Sequence, residues 1–347
     1  MAYSDKKLSE LFDRVYNNKM ITDEANGISD VQDIKEYCQK VFGDGSTTPD
    51  PSLLHQFNNI LVRQADIVAK PKMDEILNLF VSRETQSKGD IYSYTIPKNT
   101  KAKFGWSATG TGVDLVRVSA GSKVLAIPHT FQTGFYYEPT DMTTNSVENF
   151  QKLVDDLAEA KVRLYLAQVQ KLIASAISSG KIPSKNVVSG SDTTLAQYNK
   201  LGSTIARVGA GGKPIFVADT LLIDYYANLQ TTAVGTSLYS DKTKDEFLNS
   251  LNITQIGRTT AVNLVNPFTD ETNSATDIAV NEGYMFSSSV THKPFLIVEY
   301  GGMRQITEQD PEDERIKMII KQDASIDLIY GNAIGFLKES NSSKVGL

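Results

Sequence analysis

The sequence predicts an α+β fold. Apolar residues repeat with a helical period up to Phe80, and from Gly89 the period becomes two-fold. An amphipathic segment of about 33 residues, Ser146 to Ser178, follows, and short helices and strands alternate after it. At 1.5 Å per residue that segment would form a helix about 50 Å long, longer than a small domain is wide.

The N-terminal region, 1–87, reads as a helical arm. Leu8, Leu11, Phe12, Val15 and Tyr16 make one apolar stripe, and Val31, Ile34, Tyr37, Cys38, Val41 and Phe42 make a second that stops at Gly43-Asp44-Gly45. Asp50-Pro51 sets a capping acid before a proline at the first helical position. The third helix runs through Leu53, Phe57, Leu61 and Val68 and is expected to break at Pro71, with Met73 to Phe80 resuming as a turn or two.

Residues 88–138 read as a β-rich excursion with too little apolar surface for a core of its own. Tyr92, Tyr94 and Ile96 alternate with Ile91, Ser93 and Thr95; strand-like runs at Val113–Val118 and Lys123–Ile127 flank a turn, and His129–Tyr137 continues extended. Asn145 with Glu148 has the spacing of a capping box, and Gly180 ends the long helix. After the loop PSKNVVSGSD, the 191–299 lobe shows helices from Leu195 and from Asp219, with strands at Pro214–Ala218, Ile253–Ile256, Ala261–Leu264, Ile278–Val280 and Gly283–Ser287. Extended segments Phe295–Tyr300, Arg315–Lys321 and Ile326–Tyr330 close the chain.

With 347 residues, 40% hydrophobic, the chain can bury a substantial core, and no apolar run approaches the length of a membrane span. The charged, amphipathic start MAYSDKKLSELFDRV implies a protein that stays in the cytosol. The single cysteine, Cys38, lies on an apolar helix face and reads as a buried thiol. A net charge of −6 argues against gripping nucleic acid, which needs a basic face.

Catalytic signatures fail physical checks. RVGAGGKP has Arg207 where a phosphate loop needs its first glycine, and its helix precedes the glycines instead of following them. ATGTGVD lacks a following helix, and His55, His129 and His292 lack metal-ligand spacing. Asp155 and Asp156 diverge by about 100° on a helix. Neither a catalytic residue, a metal nor a cofactor is expected.

Charge is segregated. Lys98, Lys101, Lys103, Arg117 and Lys123 of the excursion face a single acid, Asp114, whereas Glu138, Asp141, Glu148, Asp155 and Asp156 follow, and Glu308, Asp310, Glu312, Asp313 and Glu314 form a second acidic cluster. Such opposite-signed regions on one chain suit contacts between identical copies. The expected inter-subunit contacts are the five basic residues, Phe104 and Trp106 as aromatic anchors, Glu308, Glu312 and Glu314, and Leu11 and Phe12 of the arm.

The order of helical arm, β-excursion, long helix, a lobe containing PIFVADTLLIDYYANL, then GYMFSSSVTHKPFLIVEYGG and RIKMIIKQDASIDLIYGNAIGFLKE resembles the major capsid protein of tailed phages, the Hong Kong 97 type, over about residues 85–340. That resemblance implies an extended loop at 88–138, a spine helix and peripheral domain at 139–190, an axial domain at 191–299, and peripheral return strands with a C-terminal tail at 300–347. It implies an icosahedral-type shell of many copies in hexamers and pentamers around double-stranded DNA, assembled in the host cytoplasm, with scaffold, portal and decoration proteins as possible partners. Two other readings stand beside it: an encapsulin-type nanocompartment shell and, from another class, a cytosolic small-molecule enzyme.

Overall fold

The computed structural model describes residues 5–23, 28–43, 49–96, 121–208, 211–234, 254–264, 266–288, 293–309 and 315–346. Helices α1 (Asp5–Tyr16), α2 (Asp30–Phe42) and α3 (Pro51–Leu77) come first, with the two-residue strands β1 (Thr22–Asp23) and β2 (Ile28–Ser29) between α1 and α2. Strands β3 (Val81–Gln86), β4 (Ser93–Ile96), β5 (Ser122–Leu125) and β6 (His129–Tyr137) precede α4 (Pro139–Thr144) and α5 (Ser146–Ser178). Then follow β7 (Val187–Gly190), α6 (Leu195–Val208), β8 (Pro214–Ala218), α7 (Thr220–Val234), β9 (Gln255–Ile256) and β10 (Thr259–Asn263). The chain ends through β11 (Glu282–Ser287), β12 (Phe295–Gln309), β13 (Ile316–Leu328) and β14 (Ile334–Glu339).

The N-terminal helices are core, not a free arm. Leu8, Leu11, Phe12 and Val15 are buried in one cluster with Phe57 of α3 and Phe150 of α5. The Phe12 ring lies 4.5 Å from that of Phe150 and 6.0 Å from that of Phe57. Short amphipathic helices are marginal in water, so α1 gains its stability from this burial. Arg14 fastens α1 to the start of α2 with two bonds to Asp30, of 2.9 and 2.7 Å. The Asp50 carboxylate accepts from the Ser52 amide at 2.8 Å, the cap that the Asp-Pro pair predicts.

Pro71 does not break α3, which runs through it as one 27-residue helix. A proline withdraws the hydrogen bond to the carbonyl four residues back, here that of Ile67, whose residue is 50% exposed, so water can take the freed acceptor. The capping box at Asn145 also does not form. Helix α4 abuts α5, the Asn145 amide bonds to the Asp141 carbonyl at 3.2 Å, and its side chain makes no cap. The boundaries Ser146–Ser178 agree with the expected helix, and Gly180 closes it at φ 70°.

A four-stranded sheet, ordered β3-β12-β13-β6, packs against α3 and α5. Strand β12 pairs in parallel with β3 and antiparallel with β13 along nearly its whole length. Sequence reading shortened β12 and split β13 because one face of this ribbon is wet: burial along β13 alternates from Ile316 to Ile320, and Lys317 and Ile319 are exposed. A register shift between Tyr300 and Arg304, with Gly301 at φ 73°, lets β12 continue past the expected end.

The six-stranded sheet, ordered β7-β14-β11-β8-β10-β9, forms the second lobe. Its core gathers Tyr198, Leu201 and Ile205 of α6, Leu222 and Tyr226 of α7, and Phe216, Met285 and Leu337 of the sheet. Gly283 permits this approach, since a Cβ there would lie 2.5 Å from Phe216 Cε2. Two expected assignments fail. The loop PSKNVVSGSD contains β7, and Ile278–Val280 is no strand, because Asn266 takes its place in the ladder by bonding both the Ile278 amide and carbonyl. The domain boundaries shift accordingly: β14, expected with the peripheral strands, pairs with β11 and β7 here, while Phe295–Glu299 belongs to the four-stranded sheet.

Candidate assembly interface

The long helix is tied to the four-stranded sheet by buried charge. Lys161, 7% exposed, falls within the apolar stripe of α5, donates to Asp66 of α3 at 2.6 Å and lies 3.2 Å from Glu299 of β12. Glu299 also accepts from Tyr165 at 2.8 Å and pairs with Arg83 of β3 at 3.3 Å, and Arg83 reaches Asp74 at 2.6 Å. Burial opposes the Glu299 charge, but Lys161, Arg83 and Tyr165 overcome it and hold the carboxyl below its usual range. Burial, reinforced by Glu299, pushes the Tyr165 hydroxyl far up. Four elements thus share one ionic knot, which fixes the platform from which the excursion leaves. Sequence reading did not single out Lys161; the signal was its place between Leu157 and Tyr165 on the buried face.

The base of the excursion is a two-stranded ribbon, with Ser93 opposite Leu125 and Ile96 opposite Ser122. Tyr92, Tyr94 and Ala126 pack on Leu296, Val298 and Tyr300. Residues of the other parity point outward, leaving Ile91, Leu125 and Ile127 exposed at 82%, 58% and 65%. Gly121 returns the chain at φ 114°, where a Cβ would sit 1.9 Å from the Ile96 carbonyl oxygen; no other residue fits there.

The expected contact residues divide three ways. Lys98, Lys101, Lys103, Phe104, Trp106, Arg117, Glu312 and Glu314 lie outside the described residues. Lys123 is exposed on β5 opposite Thr95, and Glu308 is exposed near the end of β12, in one cross-strand row with Lys317 and Tyr136. Leu11 and Phe12, at 4% and 0% exposure, are buried within the chain and offer no surface to a neighbour. Cys38 is buried as expected, and burial pushes its thiol up to about 12, against a bond with Ser146 that pulls it down.

Strand β6 was read as the last part of the excursion, yet it pairs with β13 from His129 to Tyr137 and forms the edge of the four-stranded sheet. Between this edge and α5 runs a groove of about 510 Å³ lined by Thr133, Phe135, Glu138, Asp141, Leu153 and Asp156. It continues into a space of about 150 Å³ bounded by Phe131, Thr133, Leu157 and Leu164. Across the outer face, Ile306 lies opposite Ile319, and Ile319 opposite Gly134, so both isoleucines stand exposed.

Among the described residues no group of three or more His, Cys, Asp or Glu side chains could hold a metal ion, and no helix is long and apolar enough to cross a membrane.

A sequence model of the family described as "SPbeta prophage-derived putative capsid protein YonB" matches residues 7–338. The chain is 57% identical over 341 residues to the SPbeta prophage-derived uncharacterized protein YonB of Bacillus subtilis (strain 168), covering 98% of both. Among solved structures it is similar to the virus-like particle from Pyrococcus furiosus, at 15% identity and a TM-score of 0.47 over 81% of this chain and 98% of that one. It is also similar to a chain of Microbacterium phage Oxtober96, at 9% identity and 0.49 over 76% and 90%, and to one from the satellite phage P4 procapsid including the size determination (Sid) protein, at 9% and 0.46 over 84% and 92%.

Proposed function

This chain belongs to the YonB family, and from that premise we propose that it is the major capsid protein of a tailed phage or prophage, a structural subunit that assembles with copies of itself into a closed shell around double-stranded DNA. The family match over nearly the whole chain carries the reading, and the platform supports it physically. A helix of 33 residues locked to an edge-exposed sheet is suited to spanning neighbours. The chain acts as a building block and not as a catalyst. The net charge of −6 suits a wall that confines DNA without gripping it.

In this reading the six-stranded lobe is the axial domain, the four-stranded sheet with α5 is the peripheral domain, and copies meet as hexamers and pentamers in a host-cell cytoplasm. Scaffold, portal and decoration proteins are further partners. The basic residues Lys98, Lys101, Lys103, Arg117 and Lys123 meet acids of the next copy, at Glu308, Glu312 and Glu314 or at the start of α5. The nanocompartment alternative has no observation in its favour in this chain.

Electron microscopy of particles from cells expressing the chain, with and without the neighbouring phage genes, tests the proposal. Closed shells are expected. A monomer in both preparations and in phage lysates would refute it.

A further inference from the structure

A separate hollow of about 390 Å³ opens where α3 meets α1, and polar side chains make most of its wall. His55, Asn59 and Arg63 stand one turn apart on the exposed face of α3, with Ser52 before them and Ser9 contributed by α1. Strand β12 sets the sense of their hydrogen bonds. The Gln305 amide nitrogen lies 3.2 Å from the His55 carbonyl, and a backbone carbonyl can only accept. The same nitrogen therefore donates towards His55 Nδ1 at 3.0 Å and Asn59 Oδ1 at 3.3 Å. Its orientation is held from behind. The buried Tyr137 hydroxyl donates to Asn58 Oδ1 at 2.8 Å, Asn58 Nδ2 to Thr307 Oγ1 at 3.0 Å, and the Thr307 hydroxyl to Gln305 Oε1. Acceptors are thus spent on the fold and donors are left over: His55 keeps its proton on Nε2 and Asn59 keeps its amide nitrogen, and among the described residues neither group has another partner.

We propose that this hollow binds a phosphate group, either the free ion or a phosphodiester of nucleic acid. A phosphate oxygen only accepts, which matches a wall whose open groups donate, and the Arg63 guanidinium adds charge and a fork of donors. The Ser9 and Ser52 hydroxyls turn to suit the ligand. A cation would find no carboxylate in this lining. The acids flanking it in sequence are placed elsewhere: Asp13 accepts from Gln64 and Asn17, both at 3.1 Å, Asp50 caps the Ser52 amide, Asp66 holds Lys161, and Glu10 strengthens the Arg14 charge one turn on. Among the described residues Arg63 itself has no carboxylate within ion-pair distance. The site goes beyond the capsid reading and does not depend on it, since a single phosphate contact is compatible with a net charge of −6.

Inorganic phosphate is titrated into the unassembled full-length chain and followed by its phosphorus NMR line width, with chloride at equal ionic strength as the blank. Saturable broadening is expected. Arg63→Gln should weaken binding about tenfold, the worth of one charge-assisted contact. Asn59→Asp keeps the acceptor for Gln305 but turns the open donor into a negative charge, and it should abolish binding. Lys70→Gln, at an exposed base two turns further along α3, should change nothing. Circular dichroism confirms that each variant is folded. Failure to saturate, or equal weakening in Arg63→Gln and Lys70→Gln, means a diffuse ion atmosphere and overturns the inference. A fluorescent DNA duplex of random sequence then separates the two sources. Anisotropy that is competed by free phosphate and lost in Arg63→Gln assigns the site to nucleic acid. A saturating phosphate titration with a duplex that does not bind, or that ignores Arg63→Gln, assigns it to the free ion. Every measurement uses unassembled chain, so failure to form shells bears on the capsid reading alone.

Discussion

The Lys161 ammonium lies 3.2 Å from the Glu299 carboxylate, with side chains 5% and 12% exposed. Pairs of this kind add little net stability, yet breaking one strands a charge in a dry site. Lys161→Met should therefore cost about 3–5 kcal/mol in denaturant unfolding of the unassembled chain. Adding Glu299→Gln should restore part of that loss, because Arg83 keeps Asp74 as a partner at 2.6 Å. A double-variant loss equal to the sum of the two single losses would show that the two residues act independently.

Phe12 makes the next prediction, and here structure reverses the expectation. Read as part of an arm, Leu11 and Phe12 would be assembly contacts whose loss spares the fold. Their burial against Phe57 and Phe150 makes them structural instead. Phe12→Ala should cost about 3–5 kcal/mol of stability, and Leu11→Asp with Phe12→Asp should yield soluble aggregates or degraded chain, monitored by circular dichroism and limited proteolysis. A normally stable double variant that fails only in assembly would contradict the core placement.

Periodicity made the helices legible, because each stripe is repeated several times: Leu8 to Val15, Ile34 to Phe42 and Phe150 to Ile173 all emerge as buried. Strand partners were less legible. Nothing local to HTFQTGFYY says that it joins β13, about 180 residues away, rather than the ribbon beside it. Ile334–Glu339 likewise joins the second lobe through long-range pairing. Polar substitutes are similarly hidden. Asn266 mimics a strand partner and Lys161 occupies an apolar stripe, and both choices depend on groups brought from distant parts of the chain. The charge segregation was plain from sequence, but the groove that gives part of it a shape exists only once β6 becomes an edge.

Glu339, at 0% exposure, fastens the end of β14 by accepting from the Thr193 amide at 2.7 Å, the Thr193 hydroxyl at 2.6 Å, and the Asp192 and Asn341 amides at 2.9 Å. Burial works against its charge, and these donors prevail, holding the carboxyl below its usual range. A lowered folded pKa gives stability that is present above the unfolded value, about 4.3, and is lost as pH falls through the folded one. The second lobe should lose stability on acidification below about pH 4.5. Glu339→Gln should cost about 2 kcal/mol at neutral pH, since an amide cannot accept at both positions, and should flatten that acid slope. Thermal melts of both chains from neutral to acid pH check this, and parallel slopes would exclude Glu339 as the source.

Cys38 gives the opposite sign. Its thiol is buried against Phe42 and its helix neighbours, and burial raises it to about 12, so the folded state favours the neutral form. A raised folded pKa gives stability that is complete below the unfolded value, about 8.5, and drains as pH climbs toward the folded one. Between about pH 8.5 and 9.5 the unfolded thiol ionises ahead of any single tyrosine, whose reference value is about 10, and the buried tyrosines add their own loss, so the difference between the unaltered chain and a Cys38 variant isolates the cysteine. Cys38→Ala should remove about 1 kcal/mol of the loss of stability across that window, at the cost of a small cavity that lowers stability equally at all pH values. In the unaltered chain a thiol reagent at pH 8 should react no faster than the chain unfolds, as followed by fluorescence of the single tryptophan, Trp106, or by circular dichroism. Stoichiometric labelling of the native chain within seconds would place Cys38 at the surface and would remove the basis for the alkaline prediction as well.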